Sequence, residues 1–255
     1  MVRIAIFDSG LGSLSIINSL QKKIKCEIIY FADQHNFPYG QKSKNELDVI
    51  IKKSITFLKK NYSPDVIVMA SNTPSLVLDS IDPRIIKVTP PLSEASKITK
   101  TNNIGILATK STIHSQGLKQ FINKCKLGKK INVHYIDASL LINLVEYGKF
   151  IDNKTYCKNI IHKELVKHII KKNIDVVTLS STHLPFLKPL LEDEFPGIIF
   201  LDPANSIAEK LSKRKNILSL KQNQLKIITT GNPKQLERIL IKQGISNKVS
   251  KTNFL

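Results

Sequence analysis

The chain has 255 residues, with 39 Lys and Arg against 20 Asp and Glu and a formal net charge of +19. That length accommodates one large domain or two ordinary ones and buries roughly three quarters of the unfolded surface, so a core needs no disulfide or metal. Cys26, Cys125 and Cys157 are scattered and form no C-x-x-C pair, which excludes a disulfide framework or a zinc ribbon and points to a reducing, cytoplasmic setting.

No apolar run reaches the length of a membrane span. The first residues read straight into a strand, so no secretory signal is expected. The positive charge invites a nucleic-acid reading through counterion release. Against it, only four arginines are present (Arg3, Arg84, Arg214, Arg238), and arginine is the residue suited to forked phosphate recognition. The lysines are spread over the helical segments without interleaved aromatics to stack bases. The expectation is a solvated surface, with a field that steers small anions.

The first strand pattern, 3–7, runs into Asp8-Ser9-Gly10-Leu11-Gly12 and a helix over 12–23. A glycine-rich turn opening a helix offers backbone N–H groups to an anion. Gly10-x-Gly12, with Asp33 after the second strand, also begins a dinucleotide fingerprint. Ser15 in place of the third glycine disfavours that reading, as does the carboxylate of Asp8 beside a would-be pyrophosphate. The second strand, 27–32, ends at Asp33. Pro38-Tyr39-Gly40 then gives a loop with a fixed φ, an aromatic wall and a flexible residue, suited to shaping a pocket. A helix over 43–60 follows.

A third strand, 65–70, stops at Ser71-Asn72-Thr73-Pro74, and a fourth covers 85–88 before the Thr89-Pro90-Pro91 break. Beyond it the pattern predicts a helix at 92–100, a strand at 104–108, a helix at 114–125 and a strand at 131–136. Helices at 139–148 and 154–172 and strands at 175–180 and 198–201 come next. After Asp202-Pro203 come a helix at 203–213, a strand at 226–229 and a helix at 233–243, with fraying beyond about 245. Strands alternating with amphipathic helices imply βαβ units and mostly parallel sheets.

Two segments repeat each other. Asp65-Val-Ile-Val-Met-Ala-Ser71-Asn72-Thr73-Pro74 aligns without a gap with Asp175-Val-Val-Thr-Leu-Ser-Ser181-Thr182-His183-Leu184. Ile4-Ala-Ile-Phe-Asp8-Ser9 echoes Ile104-Gly-Ile-Leu-Ala108-Thr109. The expected fold is therefore α/β, with two pseudo-symmetric Rossmann-like domains and an active-site cleft between them. The domains are expected at 1–91 plus 207–255 and at 92–206. Open α/β sheets place ligands at the carboxyl ends of their strands, so Ser71 and Ser181 mark equivalent reactive positions. Asp8 is the candidate base or orienting group for Ser71, and His183 for Ser181. The G-x-S-x-G elbow of hydrolases is absent, and the ordinary role of such serines is a cap or a ligand hydrogen bond. Glu146, in Leu-Val-Glu-Tyr-Gly, reads by itself as a surface carboxylate.

Together these motifs resemble the glutamate racemases of the aspartate/glutamate racemase superfamily. Phe7-Asp8-Ser9-Gly10-Leu11-Gly12 is similar to the family's opening motif, with Ser13 where a second glycine is usual. Tyr30-Phe31-Ala32-Asp33 with Pro38-Tyr39-Gly40 is similar to its second-strand motif. Ala70-Ser71-Asn72-Thr73 resembles the Ala-Cys-Asn-Thr segment of one catalytic cysteine. Ser181-Thr182-His183-Leu184-Pro185 resembles the Cys-Thr-His-x-Pro segment of the other. Leu144-Val145-Glu146 matches the helix that carries a catalytic-site glutamate.

The resemblance implies cofactor-independent two-base chemistry, in which one thiolate removes the α-proton of glutamate and the opposed thiol protonates the other face. It implies assisting roles for Asp8, His183 and Glu146, and substrate contacts from Ser9, Pro38, Tyr39, Gly40, Asn72, Thr73 and Thr182. No metal, pyridoxal phosphate or nucleotide is implied. The expected ligand is glutamate or aspartate; a homodimer is compatible with the sequence, whereas nucleic acid and membrane are not expected partners.

Both cysteine positions carry serine. A thiol titrates near ~8.5 and is readily tuned to a thiolate, whereas an alkyl hydroxyl is far less acidic. Weak or absent racemisation is the expectation, with two rivals: a silent binder of an acidic amino acid, or a sibling isomerase or lyase acting on aspartate or a related acid. Cysteine-to-serine is also a laboratory trapping change. Ser180 in place of the usual glycine and Pro74 in place of the usual alanine favour natural divergence.

Overall fold

The computed structural model describes residues 2–78, 82–213 and 222–252. Among them run ten strands: β1 (Arg3–Asp8), β2 (Glu27–Ala32), β3 (Val66–Met69), β4 (Ile85–Lys87), β5 (Asn103–Ala108), β6 (Asn132–Asp137), β7 (Val176–Leu179), β8 (Ile199–Leu201), β9 (Gln224–Thr229) and β10 (Val249–Lys251). Every pairing between them is parallel. The chain forms two compact units, Met1–Val88 with Ala204–Leu255, and Thr89–Pro203.

The first unit holds a six-stranded sheet in the order β10-β9-β2-β1-β3-β4. Strand alternation sends Ala5, Phe7, Ile29, Phe31, Ile67 and Met69 to one face, where they pack with Leu47, Ile51 and Leu58 of the helix Lys44–Tyr62. Each of these side chains larger than that of Ala5 contributes about 1.5–3 kcal/mol on full burial. That helix starts at a capping box, in which Ser43 Oγ accepts from the Glu46 N–H and the Glu46 carboxylate accepts from the Ser43 N–H. The helices Ser13–Lys23 and Pro203–Ser212 are joined by Ser19 Oγ donating to Asn205 Oδ1 (2.7 Å) and by the Lys23–Glu209 ion pair (3.1 Å).

The second unit holds a four-stranded sheet in the order β6-β5-β7-β8. Cys157, Ile161, Leu165 and Ile169, spaced four apart on the helix Lys154–Lys171, enter a core with Leu107, Val177, Leu179 and Phe200. This sheet reproduces the β2-β1-β3-β4 block of the first unit. Ile4 and Phe7 pair with Val66 and Met69 on β3, and Ile104 and Leu107 pair with Val176 and Leu179 on β7. The backbone bond from Ala70 N–H to Phe7 O (2.9 Å) recurs as Ser180 N–H to Leu107 O (2.8 Å). The duplication heard in the sequence is a duplication of register.

Several expectations need correction. Of the residues beyond 245 expected to fray, 253–255 lie outside the described residues, and Val249–Lys251 form β10, a parallel edge strand on β9. The helix expected at 114–125 is Gln116–Lys124, capped by Ser115, and a separate short helix, Lys110–Ile113, capped by Thr109, precedes it. Short helices at Asn72–Val77, Lys149–Asp152 and Lys188–Glu194 lacked a periodic apolar pattern long enough to read. Among the described residues, no helix is long and apolar enough to cross a membrane.

Candidate active site

In the first unit the polar residues gather at the carboxyl ends of β2, β1 and β3. Asp8 ends β1 and is 2% exposed. Its Oδ1 accepts from the Ser9 N–H (2.6 Å), and Ser9 Oγ accepts from the Tyr39 N–H (3.3 Å). The Tyr39 hydroxyl donates to Asp33 Oδ2 (2.9 Å). Burial, followed by the negative charges of Asp33 and Asp8, pushes the Tyr39 phenol well above its ordinary range, so it stays a donor. Asp8, Ser9, Tyr39 and Asp33 thus form one continuous chain. Pro38, in a cis peptide bond with Phe37, and Gly40 flank Tyr39 and are half-buried.

Asp33 is the hub of this loop. Fully buried, it also accepts from Asn36 Nδ2 (3.0 and 2.9 Å) and from Thr230 Oγ1 (3.2 Å). The end of β9 adds further ties: Thr230 Oγ1 accepts from the His35 N–H (2.9 Å), and Thr229 Oγ1 donates to Gln34 Oε1 (2.9 Å). Thr229, Thr230 and Gly231 were not singled out from the sequence. They lie some two hundred residues from the loop they hold, and no local pattern announces them.

Ser71 follows β3 in extended backbone (φ −143°, ψ 129°) and precedes the helix Asn72–Val77 without spending its hydroxyl as a cap. The turn behind it is pinned by Ser75, whose Oγ donates to Met69 O (3.2 Å) and accepts from the Val88 N–H (3.1 Å). Asn72 is 4% exposed, yet neither its amide nitrogen nor its amide oxygen has a hydrogen-bond partner. Such a group is costly to bury and is rare without a purpose. Thr73, next to it, is half-buried.

In the second unit Ser181, Thr182 and His183 follow β7 and are 8%, 3% and 6% exposed. His183 Nε2 donates to Glu146 Oε2 at 2.7 Å, Glu146 being the last residue of the helix Ser139–Glu146. Glu146 is therefore not the surface carboxylate that its local sequence suggests. A carboxylate on Nε2 fixes the tautomer and makes Nδ1 the accepting nitrogen of the neutral ring. Thr178 of β7 and Ser180 just past its end share a buried hydroxyl contact (2.9 Å), and Thr178 Oγ1 donates to Gly105 O (3.4 Å).

The two strand ends are equivalent in backbone and different in chemistry. Asp8 and Ala108 occupy the same register position, and so do Ala32 and Asp137. The first unit presents a carboxylate beside its serine; the second presents a histidine–glutamate pair. Among the described residues no group of three or more His, Cys, Asp or Glu is arranged to hold a metal ion.

No protein-family model matches the chain. Glutamate racemase of Fusobacterium nucleatum is 34% identical over 227 residues, covering 86% of this chain and 83% of that protein. Glutamate racemase of Sulfurihydrogenibium sp. is 32% identical over 219 residues, covering 83% and 82%. Among solved structures, a glutamate racemase isoform from Bacillus anthracis superposes with a TM-score of 0.84 at 24% identity, covering 98% of this chain and 96% of that one. Escherichia coli glutamate racemase, in complex with L-glutamate and the activator UDP-MurNAc-ala, gives 0.84 at 21% identity, covering 100% and 99%. At these identities the structures speak for the fold.

Proposed function

The chain belongs to the glutamate racemase family, and from that membership we propose that it binds glutamate and transfers its α-proton slowly or not at all, because Ser71 and Ser181 stand at the two proton-transfer positions. The observation that carries this reading is the pair of strand ends with one backbone register, each followed by a serine, with Asp8 ending the neighbouring strand in one unit and His183 two residues past the serine in the other. General acid–base catalysis needs groups that titrate near the working pH, and a serine hydroxyl does not. The polar shell is otherwise complete in residue type: Ser9, Pro38, Tyr39, Gly40, Asn72, Thr73 and Thr182 hold the ligand, while Asp8, His183 and Glu146 assist proton movement.

A second reading is favoured by the same serines together with the unspent amide of Asn72. Here the chain is a silent binder that keeps the family's ligand without turning it over. A sibling isomerase or lyase acting on aspartate or a related carboxylic acid is the third reading.

Proton NMR of each enantiomer of glutamate and aspartate in deuterated buffer separates these readings. Slow loss of the α-proton signal of glutamate supports the impaired racemase. Saturable binding without exchange supports the binder, and faster exchange with aspartate than with glutamate moves the assignment to the sibling reaction. Exchange of glutamate as fast as in the doubly cysteine-restored chain overturns the role given to the serines.

A further inference from the structure

We propose that Ser13 is a ligand contact of the first unit, its hydroxyl donating to a carboxylate oxygen of the bound acidic amino acid; this rests on the glutamate-binding reading above. Ser13 opens the helix Ser13–Lys23, is 0% exposed, and its Oγ has no hydrogen-bond partner. Among the described residues that condition is shared only with Asn72. A buried hydroxyl without a partner forfeits its hydrogen bonds to water and gains nothing in exchange.

Chain order puts Ser13 four residues after Ser9, and the sheet register fixes the face that the intervening turn covers. Ile6 pairs with Tyr30 and Asp8 with Ala32, so strand alternation puts the side chains of Tyr30 and Asp8 on one face. The buried hydroxyl of Tyr30 donates to Gly10 O at 2.8 Å. The Ser9–Gly12 turn is thereby held over the Asp8 face, and the helix that starts at Ser13 begins there.

Charge supplies the reason for a hydroxyl. Besides the phenols of Tyr30 and Tyr39, the buried polar side chains described in this unit are Asp8, Ser9, Ser13, Asp33, Ser54, Asn72, Ser75 and Thr229. None of these is a cation. A carboxylate bound here is met by neutral donors, and repulsion from Asp8 raises the value of each one. Among the described residues of this unit, the hydroxyl of Ser13 and the amide of Asn72 are the buried side-chain groups with no hydrogen-bond partner at all; Ser9 Oγ, in the turn that precedes Ser13, already accepts from the Tyr39 N–H.

The test uses the whole chain and two readouts of opposite sign. Ser13→Ala removes an unsatisfied hydroxyl, so the unliganded protein should melt about 2 °C or more higher. The same variant should bind glutamate about 3- to 10-fold more weakly by calorimetry. Ser13→Gly should weaken binding to a similar degree, separating loss of the hydroxyl from change of volume. Unchanged affinity in both variants overturns the proposal, as does a lowered melting temperature with unchanged affinity, which makes the hydroxyl structural. Asn72→Ala is the control for the reading underneath. If the unaltered chain binds neither glutamate nor aspartate, that reading and this proposal fall together. If it binds and Asn72→Ala weakens binding while the Ser13 variants do not, the Ser13 assignment alone fails.

Discussion

His183 Nε2 and Glu146 Oε2 meet at 2.7 Å with 8% and 15% of their side chains exposed. The pair joins a strand end to the end of the helix Ser139–Glu146. Removing one partner takes this hydrogen bond from the other in a largely buried setting. Glu146→Ala should therefore destabilise the chain by about 1–3 kcal/mol in denaturant unfolding, and Glu146→Gln, which still accepts from Nε2, by clearly less. Equal losses in both variants would show that the contact contributes through its charge alone.

Restoring both thiols, Ser71→Cys with Ser181→Cys, should raise glutamate racemisation by about a hundredfold or more, the range ascribed to a well-placed acid–base group. A single restoration should leave racemisation poor, since inversion needs a base on one face and an acid on the other. It should still permit one-sided deuterium exchange. Circular dichroism of the product and α-proton NMR report the two separately.

Asn72→Ala should weaken glutamate binding with little or no loss of melting temperature, because the amide has no hydrogen-bond partner to lose. A contact of ordinary strength predicts a weakening of about 3- to 10-fold. Thermal melts with and without glutamate measure both quantities, and a drop in the unliganded melt would mean that the amide has a structural task.

Gly231→Ala should destabilise the first unit by about 1–3 kcal/mol through overpacking. A Cβ there lies 2.5 Å from Gln34 Oε1 and 2.8 Å from Gln34 Cβ. The Thr229–Gln34 hydrogen bond then breaks or shifts. Shortening Gln34 to Ala in the same background should recover part of the loss in a denaturant midpoint.

Alkaline pH tests the core at Cys26, which is fully buried. Burial raises its thiol from 9.0 to about 11. The neutral form is thus favoured by the fold, and that contribution is fully present below pH 9 and lost as the pH rises to about 11. It amounts to about 2–3 kcal/mol. Cys26→Ala should flatten the decline of melting temperature across this window, at the cost of a small cavity.

Much of this architecture was legible because strand periodicity and strand-end chemistry are local. All nine expected strands are present, and the echoes between 4 and 104 and between 65 and 175 mark equal register positions. β10 escaped because Val249–Lys251 is only three residues long with one buried side chain, so it owes its conformation to β9 rather than to its own pattern. Glu146 was recognisable only through resemblance, since its partner His183 lies 37 positions away. The Asp33 hub and its ties to Thr229 and Thr230 depend on pairing between β2 and β9, and no window of sequence spans them.

The two units also differ in when the ribosome finishes them. Thr89–Pro203 is one unbroken stretch, so all four strands of its sheet have emerged before β9 is made. The other unit starts first and ends last, for β9 and β10 close the side of its sheet next to β2. Until they arrive, β2 is an open edge inviting the wrong partner, and the loop around Asp33 lacks Thr229, Thr230 and Gly231. During synthesis, the half that contains Asp8 and Ser9 must wait for β9 before the loop around Asp33 can set.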